Sequence, residues 1–168
     1  RALDGNDLRA AGETAARGIA CGAQGEVKGA LRSVQVECER WRGRFQEALE
    51  FAREATSLLP KASVAWFRAV QEEAIVASVL NSHTRLHEAA DLLVSMDSST
   101  AARAAHIHAL ARTAQRLIQL EDQARVEALL GRIDALMTPA LANDPILRAR
   151  VLQTRATLAL QTADDGAH

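Results

Sequence analysis

Gly43-Arg44-Phe45-Gln46-Glu47-Ala48-Leu49-Glu50-Phe51-Ala52-Arg53-Glu54-Ala55, closed by Leu59-Pro60, is the stretch that decides the fold. Ala48, Ala52 and Ala55 stand four and three residues apart, a spacing that lines them along one face of a helix. Phe45 precedes the first of them by three residues, and Pro60 ends the segment because it cannot continue the hydrogen-bond ladder. Small side chains on one face let a second helix approach closely. The spacing therefore predicts a helix whose alanine face packs on a neighbour.

The pattern recurs along the chain. Ala11, Ala15 and Gly18 follow Leu8 at the same offsets, and Ala89, Leu93 and Met96 follow Leu86. Ala124, Ala128 and Gly131 repeat it with Glu121 in the apolar place. The anchors Ala11, Ala48, Ala89 and Ala124 lie 37, 41 and 35 residues apart. Partner helices are predicted between them at 25–42, 62–82, 99–119 and 144–161, after a first helix at about 7–21. Ser98 or Ser99 and Asp144 are candidate N-caps, and Pro145 suits a first helical position. Asp122 is placed to cap a helix in which Val126, Leu129, Leu130, Ile133 and Met137 form a core-facing stripe.

The stretch from Gly43 to Pro60 resembles the second helix of a tetratricopeptide repeat, whose units run to about 34 residues. The resemblance implies an all-α fold, with about eight antiparallel helices in a right-handed superhelical stack and residues 1–168 as one domain. The first helices depart from the family pattern. Arg32, Val36 and Glu39 stand where the family carries an aromatic or Leu, a Gly and a Tyr. An irregular array of helical hairpins is the competing architecture. Similar degenerate units occur in the sensor arms of bacterial signalling ATPases, their transcription-activator relatives and kinase-linked regulators.

In that family the first helices line a concave groove. Carrying its groove positions over gives Ser33, Glu37 and Arg40, then Gln71, Ser78 and Asn81, then His106, Thr113 and Arg116. The implied function is a non-catalytic scaffold that binds a peptide or protein partner there. The alternative is a small-molecule sensor arm, with Trp66 and His106 as contacts. A carboxylate clamp of the chaperone-binding kind is not expected, because Ser33, Glu37, Gln71 and Ala74 lack its cations.

Composition narrows the class. The 168 residues are 48% hydrophobic and 24% charged, with a net charge of −1, which supplies no basic footprint for nucleic acid. Tyr is absent, aromatics reach only 3%, and Ala, Leu, Arg, Glu and Gln favour helix over sheet. No apolar run approaches the roughly 20 residues of a membrane span. Basic residues are nearly all Arg, with Lys only at Lys28 and Lys61, a bias expected of a GC-rich bacterial genome. Cys21 and Cys38 are too few for a disulfide framework, which points to reduced thiols and a cytoplasmic setting. The opening at Arg1, without Met, points to a piece of a longer protein. Leu147, Val151, Leu152 and Leu158 are expected to leave an apolar strip at the uncapped C-terminal end, open to self-association or to a following unit.

Several clusters of polar residues bear on chemistry. His83 and His87 share the i, i+4 spacing of zinc ligands, with Glu88 and Asp91 nearby. Yet Asn81-Ser82-His83-Thr84 reads as a turn that leaves His83 outside the following helix, and no Glu follows His83 as in HExxH. His106 and His108 point to different helix faces; His106 is the one expected to reach the groove and His108 to be packed or solvated. Gly22-Ala23-Gln24-Gly25 lacks the Gly-Lys-Ser/Thr of a phosphate loop and reads as a connector. Trp66 and Phe67 read best as core at a hairpin junction. Adjacent carboxylates at Glu72 and Glu73, or Asp164 and Asp165, make no acid–base constellation. No enzyme activity, metal or cofactor is expected.

Overall fold

The computed structural model describes residues 5–165, and the described residues are helical with no strand. The helices are α1 (Gly5–Ala20), α2 (Gly25–Trp41), α3 (Phe45–Leu58), α4 (Val64–Val79), α5 (His83–Ser95), α6 (Arg103–Ile118), α7 (Gln123–Leu136), α8 (Pro139–Ala142) and α9 (Pro145–Asp165). Eight of them match the expected elements. The ninth, α8, is a single turn begun by Thr138, whose hydroxyl accepts from the Leu141 amide at 3.4 Å. Asp164 and Asp165 fall within α9 but their side chains are not among those described, and Arg1 lies outside the described residues.

Short connections fold each helix back on the one before it. Helices α2, α4, α6 and α9 touch in series and form one layer, while α1, α3, α5 and α7 pack on them as a second. The turns that reverse the chain after α2, α4 and α6 share one design. Gly43, Asn81 and Glu121 adopt left-handed φ values of 74°, 53° and 58°. At each, the next amide reaches back to the last helical turn: Arg44 to Glu39, Ser82 to Ala77, Asp122 to Leu117. This 6→1 bond satisfies carbonyls that the helix end leaves free. Only the first of the three uses Gly; Asn81 and Glu121 hold the same backbone at a modest steric cost.

The alanine face is buried as the spacing predicts: Ala48, Ala52 and Ala55 are all 0% exposed. Close approach extends to α2, where a Cβ on Gly29 would lie 3.0 Å from Leu59 and 3.1 Å from Leu58. The same reading fails on α7. Ala124, Ala128 and Gly131 are exposed, whereas Val126, Leu129 and Ile133 are buried with Leu130 and Met137 beside them. Measured from the left-handed turn residues, Ala48 corresponds to Leu86 and Val126, so the anchors at Ala89 and Ala124 were out of phase. Ala89 is nonetheless buried with Leu86 and Leu93, as expected; on α7 the branched stripe takes the core instead of Ala124 because it buries more apolar area.

Caps at Asp122 and Asp144 behave as expected. Asp122 accepts from the Arg125 amide at 3.2 Å, and Asp144 from Ile146 and Leu147 at 2.9 and 3.0 Å, with Pro145 opening α9. Helix α6 begins later than predicted, at Arg103, because Ser99 caps a preceding turn through the Ala102 amide. His83 is the first residue of α5, not part of a turn outside it. The C-terminal strip is also revised. Leu147 and Val151 are buried in the core and only Leu152 of the predicted set is fully exposed, with Leu158 partly covered.

One carboxyl is buried at a cost. Glu73 on α4 accepts from the Thr56 hydroxyl at 3.3 Å, and burial raises its pKa despite that bond and the nearby Arg53 and Arg85. An ionised group whose pKa is raised by folding weakens the fold above that pKa, and the penalty fades as pH falls through it. Glu73→Gln should therefore raise the melting temperature at neutral pH, by under about 1 kcal/mol in stability, and lose that advantage in acid. Ala52→Leu should cost about 1–3 kcal/mol by overpacking, read as a fall in the denaturant midpoint at constant m-value.

Candidate functional site

The inner layer leaves a cleft of about 740 Å³ lined by α2, α4, α6 and the start of α9. Ser33 and Glu37 of α2, Gln71 of α4 and His108 of α6 reach it, together with Arg68, Glu72 and Asp144. Its walls are largely alanine and valine, with Val34, Val64 and Ile146 exposed at 39%, 37% and 74%. The cleft is thus an open trough with an apolar mouth and a short polar floor.

The floor is tied across helices. Gln71 Oε1 lies 2.8 Å from His108 Nδ1, which must carry the proton and donate, since a carboxamide oxygen only accepts. Glu72 is held by Arg40 at 3.0 Å, and Arg40 also lies over the Trp41 ring at 5.5 Å. Burial lowers the His108 pKa below 6.5, and the charges of Arg150, Arg112 and Arg68 press it the same way.

The structure brings three of the nine predicted groove residues together in the cleft: Ser33, Glu37 and Gln71. Arg40 adjoins it through Glu72. Ser78 lies outside, turned back to the Ile75 carbonyl at 2.9 Å, and Asn81 is the left-handed turn residue after α4. Arg116 is half-buried on α6, two turns beyond His108. His106 and Thr113 are corrections: both are 0% exposed and face the core. Helix α6 packs on α4, α5, α7 and α9, so only a narrow strip of it, through Ala104, His108 and Arg112, stays free. The roles expected of His106 and His108 are therefore exchanged.

His106 is a core histidine. Nε2 lies 2.8 Å from the Leu93 carbonyl and donates to it; Nδ1 accepts from the Ser98 hydroxyl at 3.2 Å. Phe67 stacks on its ring at 4.2 Å, and Trp66 meets Phe67 edge-on at 5.2 Å with Nε1 donating to the Thr56 carbonyl. Trp66 and His106 consequently offer nothing to a ligand in the cleft. His87 pairs with Asp122 at 3.2 Å, its ring 6.5 Å from that of His83. No cluster of three or more metal-ligating side chains occurs among the described residues. Cys21 is exposed; Cys38 is buried with Sγ 3.0 Å from the Leu8 carbonyl, and burial pushes its thiol pKa up.

Sequence reasoning missed Arg68, Glu72 and His108 as cleft residues. The signal lay in the turns. Ala30, Arg68 and His108 stand equally far before Gly43, Asn81 and Glu121, and so do Val34, Glu72 and Arg112. Counting back from the left-handed residue phases the inner helices where counting from alanines does not. No described helix is long and apolar enough to cross a membrane. No family model matches the chain, and no curated protein or solved structure does either.

Burial also lowers the His106 pKa below 6.5, with Arg132 adding to it and the Leu93 bond opposing. The unfolded chain therefore takes up protons that the folded one resists. Stability should be full above pH 6.5 and fall as pH drops through that value. His106→Gln should lower stability at neutral pH by about 1–3 kcal/mol and flatten this acid decline, as read from melting temperatures between about pH 8 and pH 5.

Proposed function

We propose that the chain is a tetratricopeptide-like helical-repeat scaffold, without catalysis of its own, that binds a peptide or protein partner in the inner-layer cleft. The architecture meant is a right-handed superhelical stack of helical hairpins. Alternation of inner and outer helices and the thrice-used left-handed turn support that reading. The observation that carries the function is the cleft itself, an open trough to which four successive inner-layer segments contribute side chains. A segment laid along it would meet backbone-bonding groups in Ser33, Gln71 and His108 and apolar contact from Val34, Val64 and Ile146. A regulatory role in bacterial signalling is part of the proposal and rests on the family resemblance alone.

The second reading, a small-molecule sensor arm, is favoured by the cleft volume, which falls among those of small-ligand pockets. Trp66 and His106 have no part in it.

Filling the trough separates a working groove from an idle one. Ser33→Trp with Ala65→Trp should reduce capture of a partner from cell lysate by tenfold or more (about 1.4 kcal/mol). Glu47→Trp, on the exposed side of α3, should leave capture unchanged. Equal capture by parent, groove variant and control would place the working surface elsewhere.

A further inference from the structure

Just beyond the cleft, past His108 and Leu147 in its lining, stands a group of arginines that pair with no carboxylate. Arg112 lies one turn after His108 on the free strip of α6, and Arg150 one turn after Leu147 on the facing helix α9. Both are half-buried. Burial lowers the Arg112 pKa, and the charges of Arg150, Arg116 and Arg40 lower it further against the single carboxylate of Glu72. That carboxylate is already held by Arg40 at 3.0 Å. Among the described residues, Arg68, Arg112, Arg116 and Arg150 make no ion pair, and the buried Arg150 Nε has no hydrogen-bond partner. Elsewhere Arg32, Arg85, Arg125 and Arg132 each hold a carboxylate.

Guanidinium groups withdrawn from water and set beside like charges are costly unless an anion joins them. A planar, five-donor guanidinium also matches a carboxylate in a two-bond fork. The adjoining cleft is lined by the apolar mouth residues Val34, Val64 and Ile146, by the acids Glu37 and Asp144, and by Glu72, which Arg40 holds. A continuous polyphosphate would meet those two acids, on a chain whose net charge is already −1. A peptide can place its carboxylates singly and set apolar side chains between them.

We propose that the groove takes an acidic peptide segment, whose carboxylates seat on Arg112 and Arg150 and whose neighbouring apolar side chain covers Val34, Val64 and Ile146. This rests on the groove-binding reading and names the chemistry of the partner. Gln71 and His108, which line the cleft, bond the peptide backbone. Arg68 and Arg116 add to the field that draws the segment in.

The test uses the full chain and three fluorescein-labelled peptides: repeats of Glu-Ser-Leu, of Gln-Ser-Leu and of Lys-Ser-Leu. Fluorescence anisotropy should give the Glu peptide at least tenfold tighter binding than the Gln peptide, weakening as sodium chloride is raised. The Lys peptide should not bind. Arg112→Gln with Arg150→Gln should abolish the preference for Glu over Gln. Circular dichroism melting checks that this variant folds. If it does not, Arg112→Lys with Arg150→Lys keeps the charge, loses the fork and should retain only part of the preference.

Equal binding of the Glu and Gln peptides would overturn the acidic partner and leave the groove reading standing. Glu-peptide binding that ignores both arginine variants would overturn it too, as would the absence of binding or tighter binding of a single-stranded oligonucleotide. Binding that keeps its arginine dependence yet survives Ser33→Trp with Ala65→Trp would sink the groove reading instead.

Discussion

The rest of the structure depends on covering α4. Trp66, Phe67, Ala69, Val70 and the run from Ala74 to Ala77 are all buried, so this helix is apolar on every side but the strip of Arg68, Gln71 and Glu72 that faces the cleft. A helix of that kind has no stable existence at a surface and must be enclosed by its neighbours. Helices α2, α3, α5 and α6 do this. Large aromatics sit where α4 meets α3 and α6, and alanines where α3 comes closest. The order of the helices in space follows from that enclosure.

Enclosure also decides where polar groups can survive. His106 points into the interior because Leu93 and Ser98 satisfy both ring nitrogens there and Phe67 covers its face. Its neighbour two residues on finds the cleft and Gln71. Buried polar groups are tolerated when bonded and costly when not. Glu73 illustrates the poorer bargain, a carboxyl with one hydroxyl to hold it.

Charge is unevenly paired. Many arginines fold back onto carboxylates: Arg125 bridges Asp91 and Asp122, Arg32 holds Glu54 and Arg155 reaches Asp134. Such pairs contribute little to stability where they are exposed. On the inner face, α6 and α9 supply Arg112, Arg116 and Arg150 with no acid of their own opposite. A near-neutral chain therefore carries a locally cationic cluster beside the trough, which net charge alone conceals.

Helix class, the positions of most helices and several of their ends were legible in the sequence, because they depend on neighbours only a few residues away. Alanine-rich, Tyr-free composition excludes sheet; Asp122, Asp144 and Pro145 mark starts; Ala48, Ala52 and Ala55 mark a crossing. Which face of a helix is buried was legible only where one stripe was plainly apolar, as at Val126, Leu129 and Ile133. The alanine run at Ala124, Ala128 and Gly131 has the same spacing as the true crossing on α3, yet faces solvent. A small side chain fits both settings, and only the neighbouring helix distinguishes them. The site suffered the same ambiguity at His106 and His108. Their spacing says that they diverge, but the direction of each was decided by Leu93 and Gln71, residues that tertiary packing alone brings alongside.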